Sequence, residues 1–482
     1  FFFGISDLLM PLTATDADLP FDDVFDTGNK TKSKKDNAIP TFDESDIFGD
    51  TGYEEDIFGE ENDPTYERYQ KKQRLLILLI SAIPGILQPF STTMVIPSFT
   101  DIEEDLNTYY LLVVMTVTGY NIMAGIFPMF YGPVSDRFGR KFVWYFTLPA
   151  FAVAATLSGF SLNIWMLIIC RSILGAFSCS VVIIGTGIVT DIFDPENQGK
   201  ALGLQQIPAL LSPLLGYPLG GLLTAALGWR SVNFFLAIGS IPITIMIFLL
   251  LPETLPKSAR REVSAKTVVK AMNPWNTLKL LLRPVIGLIA LARAVGYTGM
   301  MLMAVLNSGI LDEVHGLSPF AIGLWSIPFS LGTIFGSIVG GAFVDRGLKK
   351  FGRGGRLISA NFSTFILCIG LIGYGWTIEW NAWVAMFFSI FIGIGVCANR
   401  PGYLSYAMEE NPSNAAAVTG STMLFSMALT LPVTVLGPIL AKLIGVPAVF
   451  SIAACISFGV AIPTMIIMAL NMKKQVIVDE GY

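Results

Sequence analysis

Beyond Arg74 the chain is a succession of apolar runs separated by short polar connections. A bilayer core of roughly 30 Å is crossed by about 20 residues of helix. Twelve runs reach that length, near 75–97, 108–131, 142–161, 163–190, 201–225, 231–251, 284–310, 319–344, 357–376, 381–406, 415–442 and 446–470. The pattern predicts an all-α membrane protein with twelve transmembrane helices.

Composition supports this and excludes a soluble enzyme. Of 482 residues, 53% are hydrophobic and only 14% charged, against roughly 25% charged in soluble domains; the mean hydropathy is +0.63. The charge is unevenly placed. Residues 1–74 hold 18 acids and 8 bases, whereas the other 408 residues hold 18 acids and 23 bases, so an acidic tail of net −10 precedes a body of net +5. The tail is too polar to bury a core and is expected to be disordered. It carries an imperfect repeat, SDIFGD at 45–50 and EDIFGE at 55–60, whose Ile-Phe pairs are either a docking element or part of a solvated tail. Phe, not Met, stands first, so native residues are expected to precede it.

Lys and Arg are retained on the cytoplasmic side of short connections. One set of connections carries Arg68 to Arg74, then Arg137, Arg140 and Lys141, then Lys200, seven bases from Lys257 to Arg283, five from Arg346 to Arg356, and Lys473 with Lys474. The other set carries Asp101, Glu103, Glu104, Asp105, Asp312 and Glu313, with only Arg230 and Lys442 as bases. Both termini are therefore expected in the cytoplasm. The five cysteines fall inside the expected helices and read as small apolar residues, so neither a disulfide nor a metal site is implied. The acceptor pattern at Asn29 lies on the cytoplasmic side and is expected unmodified, and the lone His315 reads as a solvated loop residue.

The connection after the second run, GPVSDRFGRK at 132–141, returns after the eighth as GAFVDRGLKK at 341–350, with Gly, Asp and Arg aligned at a constant offset of 209 residues. Two related six-helix halves follow. We read residues 1–74 as the tail, 75–251 as the first bundle, 252–283 as a cytoplasmic connector, 284–471 as the second bundle and 472–482 as a closing tail. The first turn fills Gly-x-x-x-Asp-Arg-x-Gly-Arg-Lys with Gly132, Asp136, Arg137, Gly139, Arg140 and Lys141, and so resembles the signature of the major facilitator superfamily. A tight glycine turn with a carboxylate and cations can pair charges across the halves and hold one face closed; Asp345 and Arg346 would serve the second half. Alternatively, the cations only set orientation.

Arg171 and Gly175 in CRSILGAFSCS are similar to a pattern of that superfamily's drug exporters, and SPLLGYPLGGLL at 212–223 is similar to its antiporter signature. With LPETLP at 251–256, NPWNTLKLLLRP before the seventh run and LSPFAIGLWSIP opening the eighth, the likeness is to fungal twelve-spanning drug:proton antiporters, among them yeast multidrug, polyamine and spore-wall-precursor exporters. One departure stands out. Gly216-Tyr217-Pro218 places a tyrosine where the signature has proline, so Gly216, Tyr217, Pro218, Gly220 and Gly221 imply a kink and close packing while the link to antiport weakens.

A charge near mid-bilayer costs at least ~2.5–3.5 kcal/mol and needs a partner or a wet cavity. Arg171 and Arg293 both fall near mid-span, and the resemblance implies proton coupling or substrate contact for Arg171. Arg400 is placed to snorkel toward the inner face. No carboxylate lies mid-span, so a proton would have to be carried elsewhere, at Asp136, Asp191 or an outer carboxylate. Mid-span polar and aromatic residues, namely Gln88, Phe90, Tyr120, Asn121, Gln205, Gln206, Tyr297, Trp325 and Asn399, are the candidates for lining a cavity.

The expected activity is export of small amphipathic or cationic organic compounds by proton antiport with alternating access, as a monomer in the plasma membrane. Neither a cofactor nor a nucleic-acid partner is implied. The alternatives are a proton-independent facilitator or anion exchanger using Arg171 and Arg293, and a non-transporting receptor or scaffold with a recruiting tail.

Overall fold

The computed structural model describes residues 69–255, 279–410 and 415–479. The Ile-Phe repeats, Asn29, most of the connector and the final three residues lie outside the described residues. Twelve helical spans follow one another: α1 Lys71–Asp105, α2 Tyr110–Ile126 continued by Pro128–Phe138, α3 Arg140–Gly159, α4 Ile164–Ile192, α5 Asn197–Leu227, α6 Arg230–Leu250, α7 Pro284–Glu313, α8 Pro319–Gly352, α9 Gly354–Thr377, α10 Ala382–Glu409, α11 Val418–Ile444 and α12 Val446–Ala469. No strand occurs among the described residues.

Proline marks where the helices depart from straightness. Pro84 and Pro97 open short 3-10 turns within α1, and the two parts of α2 meet at 42° just before Pro128. Proline lacks the amide that would bond the preceding turn, and its ring crowds that turn's carbonyl. Polar caps fix other ends: Asn163 accepts from the Met166 amide at 2.8 Å to start α4, and Asn381 accepts from the Trp383 amide at 2.9 Å to start α10.

The halves repeat one packing scheme. In the first, α2 lies on α4, α3 on α6 and α1 on α5; in the second, α8 lies on α10, α9 on α12 and α7 on α11. Glycine lets these backbones approach. Gly332, Gly336 and Gly340 of α8, one turn apart, sit against the Ile390, Ile394 and Ala398 backbone of α10, a small-residue seam suited to helices in lipid. The outer surface is apolar, with Ile169, Ile173, Ile238, Phe387 and Leu443 all exposed, as required where the solvent is hydrocarbon. Trp165, Trp376, Trp380 and Trp383 are exposed together at one end, where an interfacial aromatic belt belongs.

The duplicated turns differ in one respect. Gly139 ends α2 with φ 106°, while α8 runs on to Gly352 with φ 59°, four residues beyond the position that the 209-residue offset gives. The eighth helix is therefore about one turn longer than the second. Leu348 stands where glycine stands in the first half, so the chain continues as helix to the next residue that accepts a positive φ.

Candidate functional site

The GPVSDRFGRK turn is a clamp. Where α3 begins, the free amides of Arg140 and Lys141 donate to the Glu253 carboxylate at 2.8 and 3.2 Å, an acid at a helix N-terminus where unpaired amides and dipole favour it. The Arg140 guanidinium donates to Asp136 at 2.6 Å, to Ser135 at 2.6 Å and to both oxygens of Asp191 at 3.0 and 3.3 Å. Asp191 also accepts from Thr254 at 3.1 Å. One arginine thus ties the loop ends of α2, α3 and α4 to the segment after α6. Arg137 is exposed, its cation 5.3 Å from the Phe138 ring centre, and Lys141 sits 5.2 Å from that of Tyr145.

These described contacts of Arg140 lie within the first half. Glu253 and Thr254 belong to LPETLP, which the sequence marks as family-like without indicating that its acid caps α3. The second half contains a matching device, Arg356 at the start of α9 donating to Glu409 at the end of α10 at 2.9 Å, while Asp345 and Arg346 are exposed near the end of α8.

Arg171 is enclosed. Its guanidinium donates to the Ser91 carbonyl and, at 3.1 Å, to Asn233 Oδ1, and it faces the Tyr120 ring. The side chain is fully buried between α1, α2, α4 and α6. Tyr120 is equally buried, its hydroxyl shared with Ser91, Ser178 and the Gln88 carbonyl at 2.7–2.8 Å. Arg171→Met is expected to destabilise the fold by about 3 kcal/mol, because it strands a buried carbonyl and amide that now bond a cation. Thermal unfolding of the purified variant checks this, and a variant as stable as the parent removes the structural role.

The halves meet at the end remote from the 132–141 turn. Tyr110 of α2 donates to the Val305 carbonyl of α7 at 2.5 Å and accepts from the Gly309 amide at 3.2 Å. Thr118 of α2 contacts Thr434 of α11 at 3.3 Å. Gly221 of α5 faces the Pro319 carbonyl and Phe320 Cα of α8, and Gly323 faces the Tyr217 carbonyl and Pro218, so Tyr217, Pro218 and Gly221 form this seam while Gly216 and Gly220 pack on Thr93 and Met94 of α1. Tyr217 adds an edge contact to Phe329 at 6.5 Å between centroids. Toward the turns the picture reverses: no described residue comes within 4 Å of the space beside Gly132, Gly199, Gly203, Gly341 and Gly420.

Between seam and turns lie the candidate cavity residues, except Trp325, which stands two residues from Gly323 at the seam end. Asn121 lines a narrow crevice between the halves with Val305, Met427 and Thr430. Gln88 and Tyr297 are part-exposed and Gln206 is exposed. Phe90 and Gln205 are buried, Gln205 packing on Gly185. Trp325 and Asn399 pack within the second half, Trp325 donating to the Ala382 carbonyl at 2.9 Å and Asn399 lying beside Gly296. Arg293 of α7 donates to Thr422 of α11 at 2.8 Å. Arg400 is exposed and stands within electrostatic reach of Arg293 and Tyr297.

Two six-helix halves, repeated packing and a seam at one end define a multi-pass membrane protein of the transporter class. The chain belongs to the Major Facilitator Superfamily, whose family model matches residues 82–432. It is 35% identical over 213 residues to the MFS antiporter QDR3 of Candida albicans, covering 44% of this chain and 31% of that protein. It is 27% identical over 309 residues to Citrate exporter 1 of Aspergillus niger, covering 58% of this chain and 59% of that one. The chain thus spans less than two thirds of either relative. The human organic anion transporter MFSD10 shares the fold, with TM-score 0.63 at 14% identity over 82% of this chain and 100% of that one.

Proposed function

We propose that the protein is a secondary active transporter that exports small amphipathic organic compounds by alternating access, with protons as the counter-flowing ion. The observation that carries this reading is the contrast between the interlocked glycines of α5 and α8 at one end and the absence of any described neighbour within 4 Å beside Gly132, Gly199, Gly341 and Gly420 at the other. We take the turn-bearing end as cytoplasmic, since the Lys and Arg residues gather there. In that orientation the state is open to the cytoplasm, where an exporter loads. The acidic tail and the connector then also lie in the cytoplasm, and the plasma membrane is the membrane we assign. Energetically, one proton falling through two pH units supplies ~2.7 kcal/mol, and each 100 mV supplies a further ~2.3 kcal/mol.

The Candida relative is named an antiporter and the Aspergillus one an exporter, which supports outward movement of an organic compound. A proton-independent facilitator or anion exchanger has one observation in its favour: the charged side chains near mid-span among the described residues, Arg171, Arg293 and Arg400, are all cations. Reconstitution separates the readings. Proteoliposomes given rhodamine 6G, 1-naphthylacetate and 1-naphthylacetamide are expected to accumulate at least one of the three severalfold more than protein-free liposomes under the same imposed pH gradient, with that excess lost on adding a protonophore. Flux indifferent to the gradient would sink proton antiport, and no flux of any probe would sink transport of this class of compound.

A further inference from the structure

The two cations of the second half stand at one depth. Arg293 lies nine residues into α7 from Pro284, and Arg400 nine residues before Glu409 at the end of α10, so each is roughly 14 Å along its helix from the turn-bearing end. Their helices are in contact here. Asn399 Nδ2 lies 3.1 Å from where a Cβ on Gly296 would be, and Gly296 is one turn from Arg293 on α7. Tyr297 is the next residue, within electrostatic reach of both arginines and also of Tyr120 and Tyr217 in the first half. The two arginines are therefore at one depth on neighbouring helices, within electrostatic reach of each other and of Tyr297.

Their bonding is incomplete. Arg293 has Thr422 as its hydrogen-bond partner, and no described residue gives Arg400 a hydrogen bond or ion pair. Neither Tyr297 nor its hydroxyl is sealed, since the residue is part-exposed and its oxygen is not among the enclosed unpartnered atoms. Two like charges at mid-membrane depth repel and lose hydration, and no carboxylate among the described residues pairs with either. Arg171 makes the contrast, because its side chain is fully enclosed and its two terminal guanidinium nitrogens donate to Ser91 and Asn233 inside the first half. A guanidinium with free donors, a second beside it and a tyrosine hydroxyl between them is the donor set that a carboxylate accepts, bidentate from one arginine and charge-assisted from the other.

We propose that Arg293, Arg400 and the Tyr297 hydroxyl form the substrate site for organic compounds bearing a carboxylate, on the second half and facing the inter-half cavity. The inference rests on the transport reading above and narrows its substrate class to anions.

The test is equilibrium binding to the full chain purified in detergent, with fluorescent 1-naphthylacetate compared with 1-naphthylacetamide, which is nearly the same size and uncharged. The acid is expected to bind at least about tenfold more tightly, with the gap narrowing at high salt as screening grows. Arg400→Gln is expected to remove about tenfold of that preference and Arg400→Lys to restore part of it. Arg400 carries the test because it is exposed and bonds nothing that folding needs, whereas Arg293→Gln also frees Thr422. Equal binding of acid and amide, or an unchanged preference in Arg400→Gln, overturns the proposal. The two readings fail separately. Preference for the acid in detergent without flux of any probe in proteoliposomes leaves the site standing and removes transport. Flux of the cation or amide without preference for the acid leaves transport standing and removes the site.

Discussion

Cysteines placed at Gly132 and Gly420 are expected to join in a disulfide, and the joined protein to lose at least nine tenths of its transport. Reduction is expected to restore it. The expectation comes from the register of the seam. Along α2 and α11 the contacts between halves are Thr118 with Thr434 and then Gly125 with Met427, seven residues on in one helix and seven back in the other. Two antiparallel helices in this register next bring Gly132 to Gly420, and both have empty space beside them here. The 42° bend of α2 lies between Gly125 and Gly132, so closing the second end requires no new register, only a rocking of the halves or a straightening at Pro128.

The same count applies to α5 and α8. Gly221 meets Phe320 and Gly323 meets Tyr217, and the register carried forward brings Gly199 to Gly341, again two glycines in open space. The alternate closure thus has bare backbone waiting on all four helices. A Gly199→Cys, Gly341→Cys pair is expected to behave like the first, whereas Gly132→Cys with Gly341→Cys should not cross-link. Disulfide geometry demands Cα atoms within about 7 Å, so indiscriminate cross-linking, or full transport in the joined protein, would dispose of the registered closure. Bulk should have a related effect: one inserted side chain in a tight contact costs typically 1–3 kcal/mol, enough to shift a two-state population about fivefold or more.

Much of the fold is legible in the sequence because the bilayer imposes a length on every helix and a charge bias on every connection. Twelve runs give twelve spans, and the repeated Gly, Asp and Arg give the halves. What the sequence withholds is which face of each helix meets which neighbour. Arg171 and Arg293 look alike in it, each a lone cation in an apolar run. The structure gives Arg171 a carbonyl, an amide and a ring, because Asn233, 62 residues away, happens to lie on the facing helix. It leaves Arg400 exposed and within electrostatic reach of Arg293. The Arg356–Glu409 pair is not found at an offset of 209 residues, because its members stand seven and nine residues beyond the positions that Arg140 and Asp191 give, more than the one extra turn of α8 supplies.

Arg140→Gln is expected to destabilise the first half by about 3 kcal/mol, the scale for removing one partner of a buried ion pair. The asymmetry of its two carboxylates decides the outcome. The Asp136 side chain is 37% exposed and can be solvated when its partner leaves, whereas Asp191 is 10% exposed and would be stranded as an uncompensated charge. Asp191→Asn in the same chain is therefore expected to recover much of the loss, because it removes the buried charge while keeping a hydrogen-bonding group near Thr254. Asp136→Asn should cost under about 1 kcal/mol, in the range of exposed pairs. Thermal unfolding of the three single variants and the Arg140→Gln, Asp191→Asn double variant measures the coupling, and additive losses would show that Arg140 and Asp191 do not act as a pair. The position of the clamp makes this consequential for transport. Arg140 holds α2, α3 and α4 together at the end that must move as a unit, so a first half without it has to deform internally before it can close on the second. Loss of transport in Arg140→Gln should accordingly exceed the loss of folded protein, and return together with stability in the double variant.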